Sequence, residues 1–541
     1  MKTLITTLNS KFIHTSLSLR LLFVATKEKH DVDFKEYTIK DNIEHIVDDI
    51  LESQSDIIAF SCYIWNIEYI QKVSSLLKQR KPHCIIIYGG PEVTYEPQYF
   101  LQNSSVDYIM SGEGEIVLDE LLTALEKHKE ICIPSVSYHN HISQEVAWVD
   151  LSYIEKLDSP YVLPQDKANM SKRILYFETS RGCPFQCQYC LSSLEKGLRF
   201  FSEDYLKRQL DMICHSDVKT IKLLDRSFNA KTEHAIMILD YIFKNYRQGQ
   251  QFQFEINADV LQQPIIDFIR DNAPQGLLRF EIGIQSTYEP TNKAVKRIQN
   301  FQRLSEVVEQ LMKDNKYDLH LDLIAGLPYE TYERFQQSFD DVFHFRAKEL
   351  QLGFLKMLRG TSLRNNADDY GYIYQQQPPY EMIENKWLSK EDVKKIHIAE
   401  DMLEKYWNSG RFVRTMNEIM NYQKSPFDFF YQLGCFYQKQ GFKKIGYQLD
   451  ELFQYLDCYL NQKEYHELLI QDYLSLFKVK PKKWYTSTLT SQQRKEIIKE
   501  LSERYHLDKE TLFRYAVVEK IHQGYLVVIY KDYQCEMEIY K

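Results

Sequence analysis

The alternation of short apolar runs with amphipathic segments constrains the fold of this chain more than any other feature. The first 140 residues contain five runs that read as strands, at Lys2–Thr6, Asp33–Ile39, Ile57–Cys62, Cys84–Tyr88 and Asp107–Met110. Segments with helical periodicity separate them, at Leu17–Lys29, Ile43–Ser53, Ile67–Arg80 and Glu115–Lys127. This order predicts an α/β domain, a doubly wound parallel sheet with helices on both faces.

The same alternation resumes at Arg173. The predicted strands are Ile174–Glu178, Thr220–Leu224, Phe252–Asn257, Leu278–Gly283, Leu319–Ala325 and Glu349–Lys356. Six strand-helix units that end near Arg364 predict a partial (β/α)6 barrel. In parallel barrels the functional residues collect at the carboxyl ends of the strands.

Beyond Asp368 the pattern is helical and irregular. Predicted helices cover Glu391–Trp407, Arg411–Tyr422, Asp450–Asn461 and Glu464–Phe477, and a terminal strand pair covers Tyr525–Tyr530 and Cys535–Tyr540. The sequence therefore predicts a mainly α C-terminal domain. The complete division is a first domain over 1–140, a linker over 141–172, a barrel over 173–367 and the C-terminal domain over 368–541.

The composition indicates a globular protein of the cytoplasm. Hydrophobic residues make up 44% of the chain and charged residues 26%, as in soluble domains. No apolar run reaches the roughly 18 residues that a membrane span requires, so we expect no membrane contact. The net charge of −9 gives no indication of nucleic-acid binding.

Three cysteines, Cys183, Cys187 and Cys190, form a Cys-x3-Cys-x2-Cys loop after the first predicted barrel strand. Thiolates normally hold iron-sulfur clusters in sets of four, and the next cysteine is Cys214. Three cysteines can hold three irons of a 4Fe-4S cube and leave the fourth iron open. A structural zinc site would need a fourth nearby Cys or His, and neither occurs between Cys190 and Cys214.

The cysteine loop resembles the cluster motif of the radical S-adenosylmethionine (SAM) superfamily, including the aromatic Tyr189 before the last cysteine. The resemblance implies that the open iron chelates the amino and carboxylate groups of SAM. It also implies that one electron from the cluster cleaves SAM to a 5'-deoxyadenosyl radical.

Polar residues at the predicted strand ends of the barrel are candidate SAM contacts. The carboxyl-end rule selects Asp225, Asn257, Gln285, Ser286 and Gly326. The resemblance implies that Asp225 lies near the SAM amino group, that Gln285 and Ser286 face its ribose and carboxylate, and that backbone around Gly326 flanks the adenine. The Gly-Gly-Glu sequence common in the superfamily at the second strand is absent.

Unusual residues also follow the strands of the first domain. They are Asn9, His14, Ser61, Gly89, Gly90, Glu92, Gly112 and Glu113. Ligands bind at such strand ends in open parallel sheets, and glycines there let the backbone approach a bulky ligand. Upstream of the cysteine loop, this pattern resembles the cobalamin-binding domain of a large radical SAM subclass.

Two departures limit what this resemblance carries over. The Asp-x-His-x-x-Gly loop of methionine-synthase-like cobalamin domains is missing, so the role of cobalt ligand is not transferred to His14. This histidine is expected to bind backbone or the corrin periphery.

Methylthiotransferases place a second cluster in such a domain. Here Cys62 closes the third strand and Cys84 opens the fourth, about 15 Å away, so with Cys132 they cannot share one cluster.

The C-terminal region resembles the domain of unknown function 4080. Its polar residues among aromatics, Arg411, Arg414, Tyr422 and Asp428, are explained as well by surface pairing as by substrate contact. A basic RNA-binding barrel, the usual partner in methylthiotransferases, is not evident.

Taken together, the resemblances imply an enzyme that uses a 4Fe-4S cluster, SAM and cobalamin. The predicted reaction is methylation of an unactivated carbon of an unknown substrate through the 5'-deoxyadenosyl radical and methylcobalamin, with an electron donor such as flavodoxin or ferredoxin. The sequence contains no convincing catalytic dyad or triad. The alternatives are an oxidative cyclase or rearrangement enzyme, and a corrinoid sensor or carrier with a structural cluster.

Overall fold

The computed structural model describes residues 1–195, 197–461, 463–477, 479–481, 483–531 and 534–540. The chain forms two compact units. The first contains Met1–Phe335 and Leu352–Lys390, and the second contains Gln336–Gln351 and Glu391–Lys541.

A six-stranded sheet forms the N-terminal part of the first unit. Its strands are β1 (Thr3–Asn9), β2 (Val32–Thr38), β3 (Ile57–Ser61), β4 (Ile85–Gly89), β5 (Tyr108–Met110) and β6 (Val136–Tyr138), in the order β2-β1-β3-β4-β5-β6. The first five are parallel, which confirms the predicted doubly wound sheet. Strand β6 runs antiparallel to β5, and its three residues are too short to give a sequence pattern.

Helices cover both faces of this sheet. They are α1 (Leu17–Thr26), α2 (Ile43–Glu52), α3 (Ile67–Arg80), α4 (Pro91–Thr94), α5 (Pro97–Asn103) and α6 (Gly114–Glu126). Val47 and Ile70 belong to one apolar core, and Leu19 and Leu118 belong to another. Because both faces are covered, all seven residues of β1 are buried.

The segment predicted as a linker is ordered and packs against the first domain. It contains α7 (Leu151–Ile154) and ends in two short 3-10 turns. Its buried Asp166 accepts hydrogen bonds from the Arg20 guanidinium at 2.6 and 2.8 Å. Arg20 also pairs with Glu36 at 3.0 Å, and Glu36 pairs with Arg173 at 2.9 Å. This buried ion network joins the first domain to the start of the barrel.

The second sheet of this unit is the partial barrel. Its strands are β7 (Ile174–Phe177), β10 (Thr220–Leu223), β11 (Gln251–Ile256), β12 (Leu278–Gln285), β13 (Asp318–Ala325) and β14 (Glu349–Phe354), in the order β14-β13-β12-β11-β10-β7. All six predicted strands are present, and β7 to β13 pair in parallel. Two short strands, β8 (Ser180–Arg181) and β9 (Arg199–Phe200), pair with each other beside β7.

Helices follow the barrel strands in sequence. They are α8 (Glu203–Cys214), α9 (Thr232–Asn245), α10 (Gln263–Asn272), α11 (Glu289–Ala294), α12 (Phe301–Asp314) and α13 (Tyr332–Phe343). After β14 come α14 (Ser362–Asn365), α15 (Ala367–Tyr370) and the pair β15 (Ile373–Tyr374) and β16 (Met382–Glu384). This last segment returns to the N-terminal sheet, where Tyr380 and Arg359 contact Glu92.

The second unit is mainly helical. Its helices are α16 (Lys390–Leu403), which continues as a π-helix over Glu404–Asn408, α17 (Val413–Tyr422), α18 (Pro426–Gln440), α19 (Leu449–Leu460), α20 (Lys463–Leu476), α21 (Ser491–Tyr505) and α22 (Lys509–Tyr515). The predicted terminal strand pair is wrong in number. A three-stranded antiparallel sheet forms from β17 (Ala516–Ile521), β18 (Gly524–Lys531) and β19 (Gln534–Tyr540).

Across the described ranges, the structure contains no helix both long and apolar enough to cross a membrane.

Replacing Arg20 by Ala should lower the free energy of unfolding of the first unit by about 3 to 5 kcal/mol, because Glu36 and Asp166 would remain buried without their partner. Urea denaturation followed by circular dichroism measures the change. Arg270→Ala is the matched control, because its partners Asp267 and Asp271 are exposed and exposed pairs contribute about 0 to 1 kcal/mol. Equal effects of the two substitutions would contradict the role of the buried network.

Candidate active site

The cysteine loop leaves the barrel directly after β7 and depends on one glycine. Gly182 precedes Cys183 and has a φ of +91°. A Cβ at this position would lie 1.8 Å from the carbonyl oxygen of Gly197. Since the obstacle is backbone, no other residue fits without moving the loop, and Gly182 thereby fixes the path of the chain into the cysteines.

The three cysteines lie within one partly enclosed loop. Cys187 is buried, and Cys183 and Cys190 are half-buried. Burial, helped by the nearby Cys190 and Cys187, raises the pKa of the Cys183 thiol to about 11. In the described part of the chain, no three metal-binding side chains converge on a single ion. A cubic cluster attaches each cysteine to a different iron, so the three cysteines need not converge on one point to hold it.

Neighbouring segments hold this loop on both sides. The backbone N–H of Gln188 donates to the carbonyl of Val295 at 2.9 Å, and the N–H of Leu363 donates to the carbonyl of Gln188 at 3.0 Å. Arg297 donates to the Tyr189 hydroxyl at 3.5 Å and to the carbonyl of Gly283. Arg297 was not selected from the sequence, because it follows a short helix and no strand.

Asp225 joins the second barrel strand to the base of the cysteine loop. Its carboxylate, 1% exposed, accepts hydrogen bonds from the Thr179 N–H at 3.1 Å, the Thr179 hydroxyl at 2.6 Å and the Ser180 hydroxyl at 2.5 Å. The Thr179 hydroxyl also lies 3.0 Å from Nε2 of His234. Asp225 was expected near the SAM amino group, whereas its oxygens bind the loop itself.

The other candidate SAM residues fall into two groups. Asn257 is engaged with the neighbouring strand end, since its amide donates to the Ser227 hydroxyl at 2.7 Å. Ser286 is buried and donates to Glu330 at 2.6 Å. Gln285 has a φ of +68°, and its buried Oε1 has no hydrogen-bond partner in the described ranges. Gln285 therefore suits a ligand contact better than Asn257 or Ser286 does.

Gly326 lies at the end of β13 with a φ of +98°. Its carbonyl accepts hydrogen bonds from the Tyr372 hydroxyl at 2.8 Å and from the Asn385 amide at 2.9 Å. A Cβ there would lie 2.8 Å from Cε of Met382. The segment after the barrel therefore packs on this strand end.

The inner faces of the barrel strands are polar. Along β11, Phe252, Phe254 and Ile256 are buried while the residues between them are partly exposed. Lys222 on β10 pairs with Glu281 on β12 at 2.7 Å. The strand alternation was visible in the sequence, but it could not show which of these charged groups pair.

Several residues expected to contact cobalamin join the N-terminal sheet to later segments. His14 Nδ1 lies 2.6 Å from the Tyr176 hydroxyl on β7. Glu113 pairs with Arg199 and lies 3.5 Å from Arg181. Glu92 is buried and accepts a 2.5 Å hydrogen bond from Tyr380. Burial raises the pKa of Glu92, and the Tyr380 hydrogen bond and Arg359 oppose that shift.

Two glycines at this edge are required by packing within the protein. A Cβ on Gly90 would lie 2.7 Å from the carbonyl of Cys62, and one on Gly112 would lie 2.4 Å from the carbonyl of Ala147. Their small size was interpreted as room for a ligand. The close backbone contacts of both glycines explain their small size without a ligand.

The remaining candidates at this edge are Asn9, Ser61 and Gly89. The Asn9 amide donates to the carbonyl of His14 at 3.0 Å, and the Ser61 hydroxyl lies 3.4 Å from that of Ser18. Gly89 ends β4, and the nearest atom to a Cβ there would be the flexible Cε of Met110, at 3.2 Å. These contacts leave their roles as cobalamin contacts a prediction.

Large apolar side chains are exposed in the loops at the same edge. Phe12 is 52% exposed, Ile13 42% and Trp65 45%. Trp65 stacks on Tyr63 with 4.4 Å between ring centroids. Exposed rings beside the strand ends suit a broad, flat ligand, so this edge fits a corrin ring.

The two cysteines of the rejected second-cluster hypothesis lie at opposite ends of the sheet. Ser61 pairs with Gly89 and Ile57 pairs with Ile85. Cys62 therefore follows one end of β3, while Cys84 precedes the start of β4.

The C-terminal candidates are structural or exposed. The N–H of Arg414 donates to Asp472 at 3.1 Å, and Asp428 accepts from Gln336 at 2.9 Å. Arg411 is exposed, and Tyr422 is 72% exposed. These contacts favour the surface-pairing interpretation.

Comparison with known proteins identifies three regions of the chain. Residues 3–122 match the B12 binding domain, residues 177–342 match the radical SAM superfamily, and residues 368–536 match a protein of unknown function, DUF4080. These matches confirm the domain types inferred from the strand ends, the cysteine loop and the C-terminal pattern.

Curated relatives match part of the chain. The chain is 27% identical over 337 residues to the cobalamin-dependent radical SAM methyltransferase TokK of Streptomyces tokunonensis, which covers 58% of this chain and 49% of TokK. It is 32% identical over 188 residues to 2-(S-pantetheinyl)-carbapenam-3-carboxylate methyltransferase of Streptantibioticus cattleyicolor, covering 32% of this chain and 28% of that enzyme. The chain thus spans about half or less of the length of these relatives.

A solved structure supports the fold over nearly the whole chain. The cobalamin-dependent S-adenosylmethionine radical enzyme OxsB, with aqua-cobalamin and S-adenosylmethionine bound, superposes with a TM-score of 0.61 at 15% identity. The match covers 93% of this chain and 84% of OxsB. At this identity the similarity establishes the architecture.

Replacing Gly182 by Ala should abolish iron retention after anaerobic reconstitution, because the new Cβ collides with the backbone of Gly197. Iron and sulfide analysis measures the loss, which we expect to exceed tenfold. Gly249→Ala is the control, since Gly249 has a similar φ of +90° but open space around it. Equal iron retention in both variants would contradict the proposed fit of the loop.

Burial raises the pKa of Asp225 from its ordinary value of 3.8 to about 6. The native state therefore binds this proton more tightly than the unfolded chain does, and ionisation destabilises the fold as pH rises from about 4 to above 6. The difference corresponds to about 3 kcal/mol. Between these pH values the free energy of unfolding of the wild-type apoprotein should fall by that amount relative to that of Asp225→Asn. Urea denaturation measures both free energies. A difference between the two proteins that does not change with pH would contradict the burial effect.

Proposed function

We propose that this chain, which combines a B12-binding domain, a radical SAM domain and a DUF4080 region, is a cobalamin-dependent radical SAM enzyme that methylates an unactivated carbon of its substrate. The observation that carries the proposal is the loop of Cys183, Cys187 and Cys190. It offers three thiolates at the carboxyl edge of a parallel barrel, in the same compact unit as a B12-binding domain.

Each cofactor has residues that fit it. Cys183, Cys187 and Cys190 would hold the 4Fe-4S cluster. Tyr189 within that loop and Gln285 at the end of β12 would contact SAM, and the strand ends of the N-terminal sheet would hold cobalamin. When bound, these groups supply carbon-radical chemistry and a transferable methyl group, while the protein supplies geometry.

The chain's own contribution is to position groups. Gly182 and Asp225 fix the loop at the end of β7, and Arg297 orients Tyr189. Glu113 with Arg199 and His14 with Tyr176 hold the N-terminal strand ends beside the barrel. Two cofactor-binding edges are thus kept adjacent, as a transfer between two bound groups requires.

The proposed reaction needs a one-electron donor from outside the chain. We expect a small reduced protein of the flavodoxin or ferredoxin type to supply it to the cluster. The similarity to TokK, a cobalamin-dependent radical SAM methyltransferase, supports methyl transfer over a carrier role.

Combined replacement of Cys183, Cys187 and Cys190 by Ala should remove the cluster and abolish formation of 5'-deoxyadenosine from SAM under dithionite. Chromatography with mass spectrometry measures the product. A double Cys132→Ala and Cys458→Ala variant is the control, because both cysteines are exposed and outside the loop. Undiminished 5'-deoxyadenosine from the triple variant would refute the assignment of the cluster site. If the wild type binds SAM without cleaving it, the alternative of a corrinoid sensor or carrier is favoured.

A further inference from the structure

Two charged side chains near the cysteine loop have no direct partner in the described part of the chain. Glu255 lies on β11 and Arg226 follows β10, so both lie near the carboxyl ends of neighbouring strands. Among the described residues, neither forms a hydrogen bond or an ion pair. By contrast, Lys222 and Glu281 bind each other at 2.7 Å.

The two groups lie close enough for their charges to influence each other. Burial raises the pKa of Glu255, and Arg226 is the strongest group opposing that shift, followed by Lys222. Desolvation lowers the pKa of Arg226, but Glu255, then Cys190, raises it above its ordinary value. The charges therefore interact, although the side chains lie too far apart to pair.

Arg226 is accessible from solvent, and Glu255 is only partly so. The Arg226 side chain is exposed, while Glu255 is half-buried. A desolvated carboxylate without a partner lowers the stability of a fold. Two opposite charges at neighbouring strand ends, unpaired among the described residues and reached by solvent, are available to a ligand.

We propose that Glu255 and Arg226 form a subsite for a zwitterionic group of the substrate, with a protonated amine on Glu255 and a carboxylate on Arg226. The substrate class is then an amino acid or a small derivative of one, and an apolar lipid is excluded. This inference rests on the proposed function. The aminoacyl end of SAM carries the same two groups, so the experiment has to separate these sources.

The test supplies the reconstituted holoprotein with SAM, dithionite and a perdeuterated pool of the twenty proteinogenic L-amino acids. Hydrogen abstraction breaks a C–D bond of the substrate and forms a C–D bond at C5' of 5'-deoxyadenosine. The readout is the fraction of 5'-deoxyadenosine that carries deuterium. Perdeuterated palmitate serves as the apolar probe.

We expect deuterium transfer from the amino-acid pool and none from palmitate. In Glu255→Gln and in Arg226→Gln the deuterated fraction should fall at least tenfold. Glu233→Gln, an exposed change of the same kind on α9, should keep the wild-type fraction. Transfer from palmitate, or no transfer from the amino-acid pool, overturns the proposal.

If Glu255→Gln lowers total 5'-deoxyadenosine while the deuterated fraction stays constant, the subsite serves SAM, and the substrate assignment is overturned. If the wild type forms no 5'-deoxyadenosine at all, the proposed function fails instead.

A thermal measurement decides the subsite independently of turnover. Because Glu255 is a desolvated carboxylate with no partner among the described residues, Glu255→Gln should raise the Tm of the ligand-free holoprotein. The amino-acid pool should raise the Tm of the wild type but not that of the variant. Two results would show that Glu255 already has its partner within the protein. One is a lower Tm for ligand-free Glu255→Gln than for the wild type, and the other is an equal rise in Tm of both proteins with the amino-acid pool.

Discussion

The contact between Asp225 and the base of the cysteine loop is the constraint on which the site depends. The carboxylate binds Thr179 and Ser180 and so joins the ends of β7 and β10. Gly182 then sets the direction of the chain through a backbone contact that admits no side chain. Three cysteines within eight residues can bind one cluster only if this starting point is rigid, because loop residues otherwise sample many conformations.

Ion pairs and hydrogen bonds at the strand ends hold the N-terminal sheet beside the barrel. Glu113 binds Arg199, Glu92 binds Tyr380 and lies near Arg359, and Glu36 binds Arg20 and Arg173. Each is buried or half-buried, and a buried charge is retained only when its partner is in place. These contacts therefore fix the spacing between the two edges that would bind cofactors.

Both sheets were predictable because the period of their apolar residues is strong over many consecutive elements. The cysteine loop was predictable because three cysteines so close together, with no fourth ligand nearby, suit an iron-sulfur cluster and not a closed zinc site. The contacts of Glu92, Glu113 and Asp225 were not predictable. A carboxylate at a strand end can bind either a ligand or a side chain of the protein, and only the folded structure shows which group is its neighbour. Strand β6 was missed because three residues are too few to show a period. Strand β17 was missed because its short apolar run gives little periodicity. Arg226 and Glu255 were missed because their lack of a partner among the described residues is a property of the packed barrel.

Retention of cobalamin beside an intact cluster tests the two-cofactor account most directly. The protein would be reconstituted anaerobically, given cobalamin and a mild reductant, and washed free of unbound corrinoid before electron paramagnetic resonance. The account predicts a Co(II) signal close to one per chain in protein that also contains the cluster. A full cluster with no retained cobalt would contradict it and leave an enzyme that uses SAM alone.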